Sequence, residues 1–319
     1  MSTALFFSLP IGMLAVVWSL YFVGCSLPVS GLRDPYSDLI LGKAGTGLLA
    51  YWPLNDLLGT SKTPGQVGQA RDLSGNHRIG NYTNPPAYPS GMQAIPKSKV
   101  LNPPTLARGT SIVVGDAGSS TNALPASTDF EGGVVNIPWS TESWPPLNEF
   151  TIEAWIQPKW SGSGFIWVVF SAATDTAGFA LFIDDTNQWG VTFGNGMMLT
   201  TATPPTNVTI DPSSTTPTYV ALTFKGGIFS LWVNPGSDTS TPPPANWTSD
   251  QANYVAADPN QLLQAFIGGG ANNQAPRMVD GGTGSPLFPF QGLVQSVAVY
   301  QTALGGDEVL KHFQAGVTA

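Results

Sequence analysis

Phe150, Ile152, Ala154 and Ile156 occupy every second position of the stretch FTIEAWIQP, the period of a strand that lays one face on a core. Thr151, Glu153 and Trp155 then face the other way, and Pro158, which cannot donate to a ladder, ends the strand. Further strands are expected at 48–54, 111–114 and 129–138. The nearly continuous apolar run 165–170 reads as a strand buried on both faces. Two hairpins follow: 179–183 with 189–193 about Asp184-Asp185-Thr186-Asn187, and 219–224 with 228–233 about Lys225-Gly226-Gly227. The closing strand is 290–300. A short helix comes after it, with Asp307 as N-cap, Val309, Leu310 and Phe313 on one face, Gly316 as the C′ stop and His312 exposed. The stretches 200–217, 234–261 and 269–287 show no periodicity and read as loops.

Residues 4–24 carry no charge and are mostly apolar. As a helix they would cross a hydrocarbon layer of roughly 30 Å. Three roles compete: a retained membrane anchor, a secretory signal, or a lipoprotein signal in which Phe22-Val23-Gly24-Cys25 stands in for the cleavage motif. The alternative to all three is a helix buried against a neighbouring subunit. Residues 26–47, with Pro28, Gly31, Pro35, Gly42, Gly45 and Gly47 as breakers, read as a linker. The expected organisation is an apolar anchor or signal at 1–25, a linker at 26–47 and one β domain at 48–319.

Composition narrows the class. The chain has 319 residues, 36 glycines, 28 prolines and 10% charged residues, which favours many turns and few long helices. A net charge of −8 without a basic run argues against nucleic acid as a partner. One cysteine and two histidines leave no internal disulfide and no Cys- or His-rich metal centre.

Several separated pieces, in order, resemble one family. They are Ala50-Tyr51-Trp52-Pro53-Leu54-Asn55, Asp72-Leu73-Ser74-Gly75-Asn76, Asp129-Phe130-Glu131-Gly132, the central strand from Phe150 to Ile156, and Tyr219-Val220-Ala221-Leu222-Thr223-Phe224. Leu231-Trp232-Val233-Asn234 follows, then Phe290-Gln291-Gly292 through Ala298-Val299-Tyr300, Ala303-Leu304, Asp307-Glu308 and Gly316. Together they resemble the laminin G-like jelly rolls of the concanavalin A-like lectin/glucanase superfamily, over residues 48–316. The resemblance implies an antiparallel jelly-roll β sandwich with its first and last strands close together. With the apolar N-terminal helix, the expected fold is all-β.

Chemistry is sparse. The Glu-x-Asp-x-Glu strand motif of the glucanases is missing. Glu149 and Glu153 share a face, yet their Cα atoms would lie about 13 Å apart along a strand, too far for paired-carboxylate hydrolysis. A binding role without catalysis is the stronger class. Trp139, Trp144, Trp160 and Trp247 stand in or beside loops and are the candidate platforms for sugar faces, against the alternative that they plug the sandwich ends. Asp72, Ser74 and Asn76 place oxygens at alternate turn positions. They are the candidate calcium ligands, as in many family members, against the alternative of a metal-free Asx-turn. Asn81, Asn207 and Asn246 begin Asn-x-Thr triplets of the glycosylation type. The expected function is a binding module outside the cytoplasm, for glycan or a surface protein, tethered to membrane or to neighbouring subunits through residues 4–24. The alternative is a structural or decoration protein of an extracellular or virion assembly.

Overall fold

The central strand is buried along its whole length. In the computed structural model β7 (Phe150–Pro158) has no exposed residue on either face, so the expectation of a single covered face is corrected. Its even face packs between two sheets. Its odd face, Thr151, Glu153 and Trp155, lies under a layer of helices, and that layer explains why a strand carrying Thr and Glu is sealed.

The structure describes residues 35–42, 47–54, 69–83, 100–101, 111–114, 134–139, 144–158, 167–202, 208–212, 214, 216–237, 243–258, 264–271, 286–287, 290 and 292–317. The segment 4–24 lies outside them. Among the described residues no helix is long and apolar enough to cross a membrane.

The described residues form two antiparallel sheets in a jelly-roll sandwich, with a separate two-stranded ribbon of β16 (Gly270–Ala271) and β17 (Pro286–Leu287). Beside β7, the first sheet contains β12 (Thr218–Lys225), β13 (Ile228–Val233), β14 (Trp247–Thr248), β18 (Gly292–Tyr300), β5 (Ser111–Val114) and β4 (Val100–Leu101). Its order is β14-β13-β12-β7-β18-β5-β4. β1 (Leu48–Trp52) pairs with β18 from Leu48↔Tyr300 to Trp52↔Val297, so the first and last strands meet as expected. The second sheet runs β11 (Leu199–Ala202), β10 (Trp189–Gly194), β9 (Gly178–Ile183), β8 (Trp167–Ala173), β15 (Gln264–Ile267), β6 (Val134–Pro138), β3 (Gly80–Thr83), β2 (Gln69–Ala70). Both expected hairpins form. β9 and β10 pair from Ile183↔Trp189, with the Asp184 carboxylate accepting from the backbone N–H groups of Thr186 and Gln188. β12 and β13 turn through Gly226 and Gly227, both at positive φ, the backbone of a tight hairpin. Between the sheets, Phe150, Ile152, Ala154 and Ile156 pack with Phe170, Phe179, Leu181, Ile183 and Val191.

On the outer face of the first sheet lie α1 (Pro35–Gly42) and α2 (Gly306–Val317). The part of the expected linker at 35–42 is therefore a helix. Pro35 takes a first-turn position where its missing N–H costs nothing, and Tyr36 and Ile40, one turn apart, are both fully buried. Gly316, expected as a C′ stop, sits inside α2. A Cβ there would lie 2.3 Å from the Trp155 ring, so glycine is what lets the helix close onto β7.

Candidate functional site

Two polar constellations stand out, one at an open loop and one sealed under the helices.

The loop is 71–79. The Asp72 carboxylate accepts four hydrogen bonds: Oδ1 from the N–H of Tyr51 (2.9 Å) and of Ser74 (2.9 Å), Oδ2 from the Ser74 hydroxyl (2.9 Å) and the N–H of Arg78 (2.8 Å). The Leu73 N–H bonds the Tyr51 carbonyl. Asn76 Nδ2 donates to the carbonyls of Leu48 and Leu49, and the Arg78 guanidinium donates to Leu49 as well. The partners that these bonds reach outside the loop, Leu48, Leu49 and Tyr51, all lie on β1. The loop thus closes a sheet edge that would otherwise offer unpaired backbone groups. Leu73, Asn76, His77 and Ile79 stay exposed on its outer side.

Asp72, Ser74 and Asn76 are brought together, but they do not fit a calcium ion. All four acceptor positions of the Asp72 carboxylate are filled by protein donors. The nearby β1 carbonyls, the oxygens a hard cation would take next, are met by Asn76 and by the fixed positive charge of Arg78. Burial lowers the Arg78 pKa while Asp72 opposes the shift. No cluster of three or more His, Cys, Asp or Glu suited to a metal occurs among the described residues. We expect Asp72→Ala to cost about 2 kcal/mol through lost charge-assisted bonds, and calcium or chelator to leave Tm unchanged. Thermal unfolding checks both, and a calcium-dependent rise in Tm that Asp72→Ala abolishes would refute this account.

Beneath the loop the tryptophans stack. Trp139 and Trp144 are parallel at 3.9 Å, Trp52 lies 6.2 Å from Trp144, and the Arg78 guanidinium sits 4.7 Å over the Trp144 ring. Trp52 Nε1 donates to the Arg78 carbonyl and Trp144 Nε1 to that of Pro138. Trp139 and Trp144 are 4% and 1% exposed. They are core residues that plug this end of the sandwich, and neither offers a ring to a sugar. Trp247, 9% exposed, packs in the same core from β14, five strands from β1 and about 24 Å away across the sheet. It does not join this site. Trp160 lies outside the described residues.

The sealed constellation centres on Glu153. Its carboxylate accepts from the Tyr219 hydroxyl and from Tyr300 Oη (2.9 Å), and His312 Nδ1 lies 3.0 and 3.1 Å from its two oxygens. Glu153 is 0% and His312 1% exposed. The exposure expected for His312 is thus corrected: the helix turns it inward beside Val309 and Gly316. Burial, and next the Glu153 charge, raise the tyrosine pKa values of Tyr36, Tyr219 and Tyr300 well above 10. Two further side chains, one on this strand and one just before it, hold the approach to α2. Thr151 Oγ1 donates to the Thr302 carbonyl (2.8 Å) and accepts from the Leu304 N–H (2.8 Å), and Glu149 accepts from the Ala303 N–H (3.2 Å). Glu149 also pairs with Lys225 at the surface. The polar face of β7 anchors the C-terminal segment.

No protein-family model matches the sequence, and a search of curated proteins finds no relative. Solved structures do match. A structure of botulinum neurotoxin type C, a toxin whose cell entry depends on interaction with two ganglioside molecules, aligns at TM-score 0.52 and 12% identity, over 86% of this chain and 53% of that one. The binding domain of botulinum neurotoxin DC in complex with SialylT aligns at TM-score 0.50 and 11% identity, over 86% and 52%. The likeness is one of fold. The chain spans about half the length of the toxin structures it matches.

Proposed function

We propose that the chain is a non-catalytic, laminin G-like binding module that holds a glycan or a surface protein outside the cytoplasm, tethered by residues 4–24. The observation that carries this is the 71–79 loop. It is fixed to β1 by Asp72, Asn76 and Arg78 yet keeps Asn76, His77, Leu73 and Ile79 exposed. A polar and apolar rim on a rigid turn suits sugar hydroxyls and C–H faces without an ordering cost on binding. Botulinum neurotoxin type C, whose cell entry depends on interaction with two ganglioside molecules, shares this fold, so the sandwich architecture is compatible with such a ligand. Glu153, the strand carboxylate, is spent on internal hydrogen bonds, which favours binding over hydrolysis.

A glycan array probed with the full chain in mild detergent tests this. The expected result is retention on at least one glycan class, lost in Leu73→Ala/His77→Ala, at two exposed positions of the rim, with Tm kept within a few degrees. A blank array removes the glycan half of the proposal. Binding unchanged in that variant removes the loop as the site.

A further inference from the structure

The outer face of the second sheet carries a row of side chains that neither the core nor the 71–79 loop uses. Along β2, β6 and β15 the inward positions are apolar: Ala70, Val135, Ile137, Ala265 and Ile267 all belong to the core. Strand alternation turns Gln69, Asn136, Gln264 and Phe266 to the opposite face. The register lines them up. Gln69 pairs with Asn81, Asn81 with Asn136, and Asn136 with Phe266. Beyond Asn136 the row is closed, because Phe266 and its partner Ser171 are buried. The open part is a set of amides on four neighbouring strands, β2, β3, β6 and β15. Gln69 is exposed, and Asn81, Asn136 and Gln264 are half-buried.

The sheet gains little from these residues. Asn is depleted in strands, where β-branched and aromatic side chains pack better, yet Asn81 and Asn136 stand opposite each other. One side-chain bond joins the group, from Asn136 Nδ2 to Gln264 Oε1 (2.6 Å), which leaves Asn136 Oδ1 and Gln264 Nε2 open. The amides of Gln69 and Asn81 have no side-chain partner among the described residues. No residue of β2, β3, β6 or β15 is charged. The row also adjoins the loop: Gln69 lies two residues before its start at Arg71, and Asn81 two residues after its end at Ile79.

We propose that this amide row binds an uncharged oligosaccharide chain laid across β2, β3, β6 and β15. The inference rests on the glycan reading above, and adds to it a ligand class and a second stretch of contact. Chemistry selects the ligand. A primary amide is donor and acceptor at once, and so is each sugar hydroxyl it would meet. An acidic sugar or a phosphate calls for Arg or Lys, which these strands lack, and a net charge of −8 opposes an anionic chain. An apolar peptide or a lipid surface calls for exposed apolar side chains, and the four open ones here are polar. Length follows from the strand spacing. From Gln69 to Gln264 the row crosses three interstrand steps, about 14 Å, which is longer than one sugar ring. Amides held on a sheet present these groups without an ordering cost on binding.

Titration of the full chain in mild detergent tests this. The probes are neutral linear oligosaccharides of the cello, xylo, manno and arabino series, from one to four units, beside sialylated and sulfated glycans. Gln69→Ala/Asn81→Ala removes two amides that no protein group needs, so its Tm stays within a few degrees of wild type. The expected result is that at least one neutral series binds, more tightly with each added unit up to three. In Gln69→Ala/Asn81→Ala that binding weakens about tenfold, as two lost hydrogen bonds imply. Should the double variant lose stability, the exposed Gln69→Ala alone carries the test, with a loss of about threefold. Neutral-glycan binding unchanged in the amide variants overturns the proposal, and its loss in Leu73→Ala/His77→Ala alone would then leave the loop as the whole site. Loss in both variants supports one continuous site. Binding of sialylated or sulfated glycans only overturns the ligand class. No binding to any probe overturns the proposal together with the glycan reading it rests on.

Discussion

Glu153→Ala destabilises the protein by about 3–5 kcal/mol, the cost of removing one partner from a buried, hydrogen-bonded charged group, and lowers Tm by roughly 10 °C. The alanine leaves the hydroxyls of Tyr219 and Tyr300 and Nδ1 of His312 without their shared acceptor, in a place where water does not reach. Each stranded group carries its own desolvation cost. It also opens a void between β7 and α2, because Trp155 and Tyr219 pack against Phe313 through the same layer. Glu153→Gln keeps one acceptor oxygen but turns an N–H₂ toward a donor, so it falls between wild type and alanine. Tyr300→Phe should be costly in the wild type and nearly neutral in Glu153→Ala, the signature of a direct coupling. Denaturant unfolding of the four proteins checks this. A loss below about 1 kcal/mol for Glu153→Ala, with a Tyr300→Phe effect independent of it, would mean that the helices are held by apolar packing alone.

Strand alternation was the legible part. The 150–156 pattern gave β7 and its core face, and the hairpin turns were readable because Asp184-Asp185-Thr186-Asn187 and Gly226-Gly227 have specific backbone uses. The helix layer was not readable. Pro35 and Gly42 look like the breakers of a linker, and only the Tyr36–Ile40 spacing hints that they bound a two-turn helix. His312 lies 159 residues from Glu153, and nothing local joins them. The available signal was helical phase: His312 shares a stripe with Val309 and Gly316, and a polar residue in a buried stripe needs a buried partner. The 71–79 turn was visible as turn chemistry. Its partner, the free edge of β1, becomes visible only once β1 is known to lie beside β18. The tryptophans failed for a related reason. Trp139 and Trp144 sit among prolines with no period, so the sequence does not say whether a ring faces water or another ring.

The protein should unfold cooperatively in alkali, with a midpoint between about pH 11 and 12. Three buried tyrosines and the half-buried Tyr254 set this limit. Tyr36, Tyr219 and Tyr300 have pKa values raised by burial and then by the Glu153 carboxylate, and Tyr254 is raised by burial. In the unfolded chain each phenol ionises near pH 10. Below that value both states hold the proton and stability does not depend on these groups. Above it the folded state still binds protons that the unfolded state has released, so stability falls with rising pH. The slope is about 1.4 kcal/mol per pH unit for each tyrosine, or between 5 and 6 for four, and one unit above pH 10 removes an amount on the order of a whole domain's stability. Tyrosinate absorbance and far-ultraviolet circular dichroism, followed together, provide the check. The absorbance of these four phenols should rise only as the β signal collapses. Full ionisation near pH 10 with the β signal intact would show that these phenols are open to water, and would undo both the sealed Glu153 cluster and the helix layer said to cover it. Glu153→Ala shifts the alkaline midpoint downward all the same, because the stability it removes at neutral pH exceeds the relief from taking one negative charge away from Tyr219 and Tyr300.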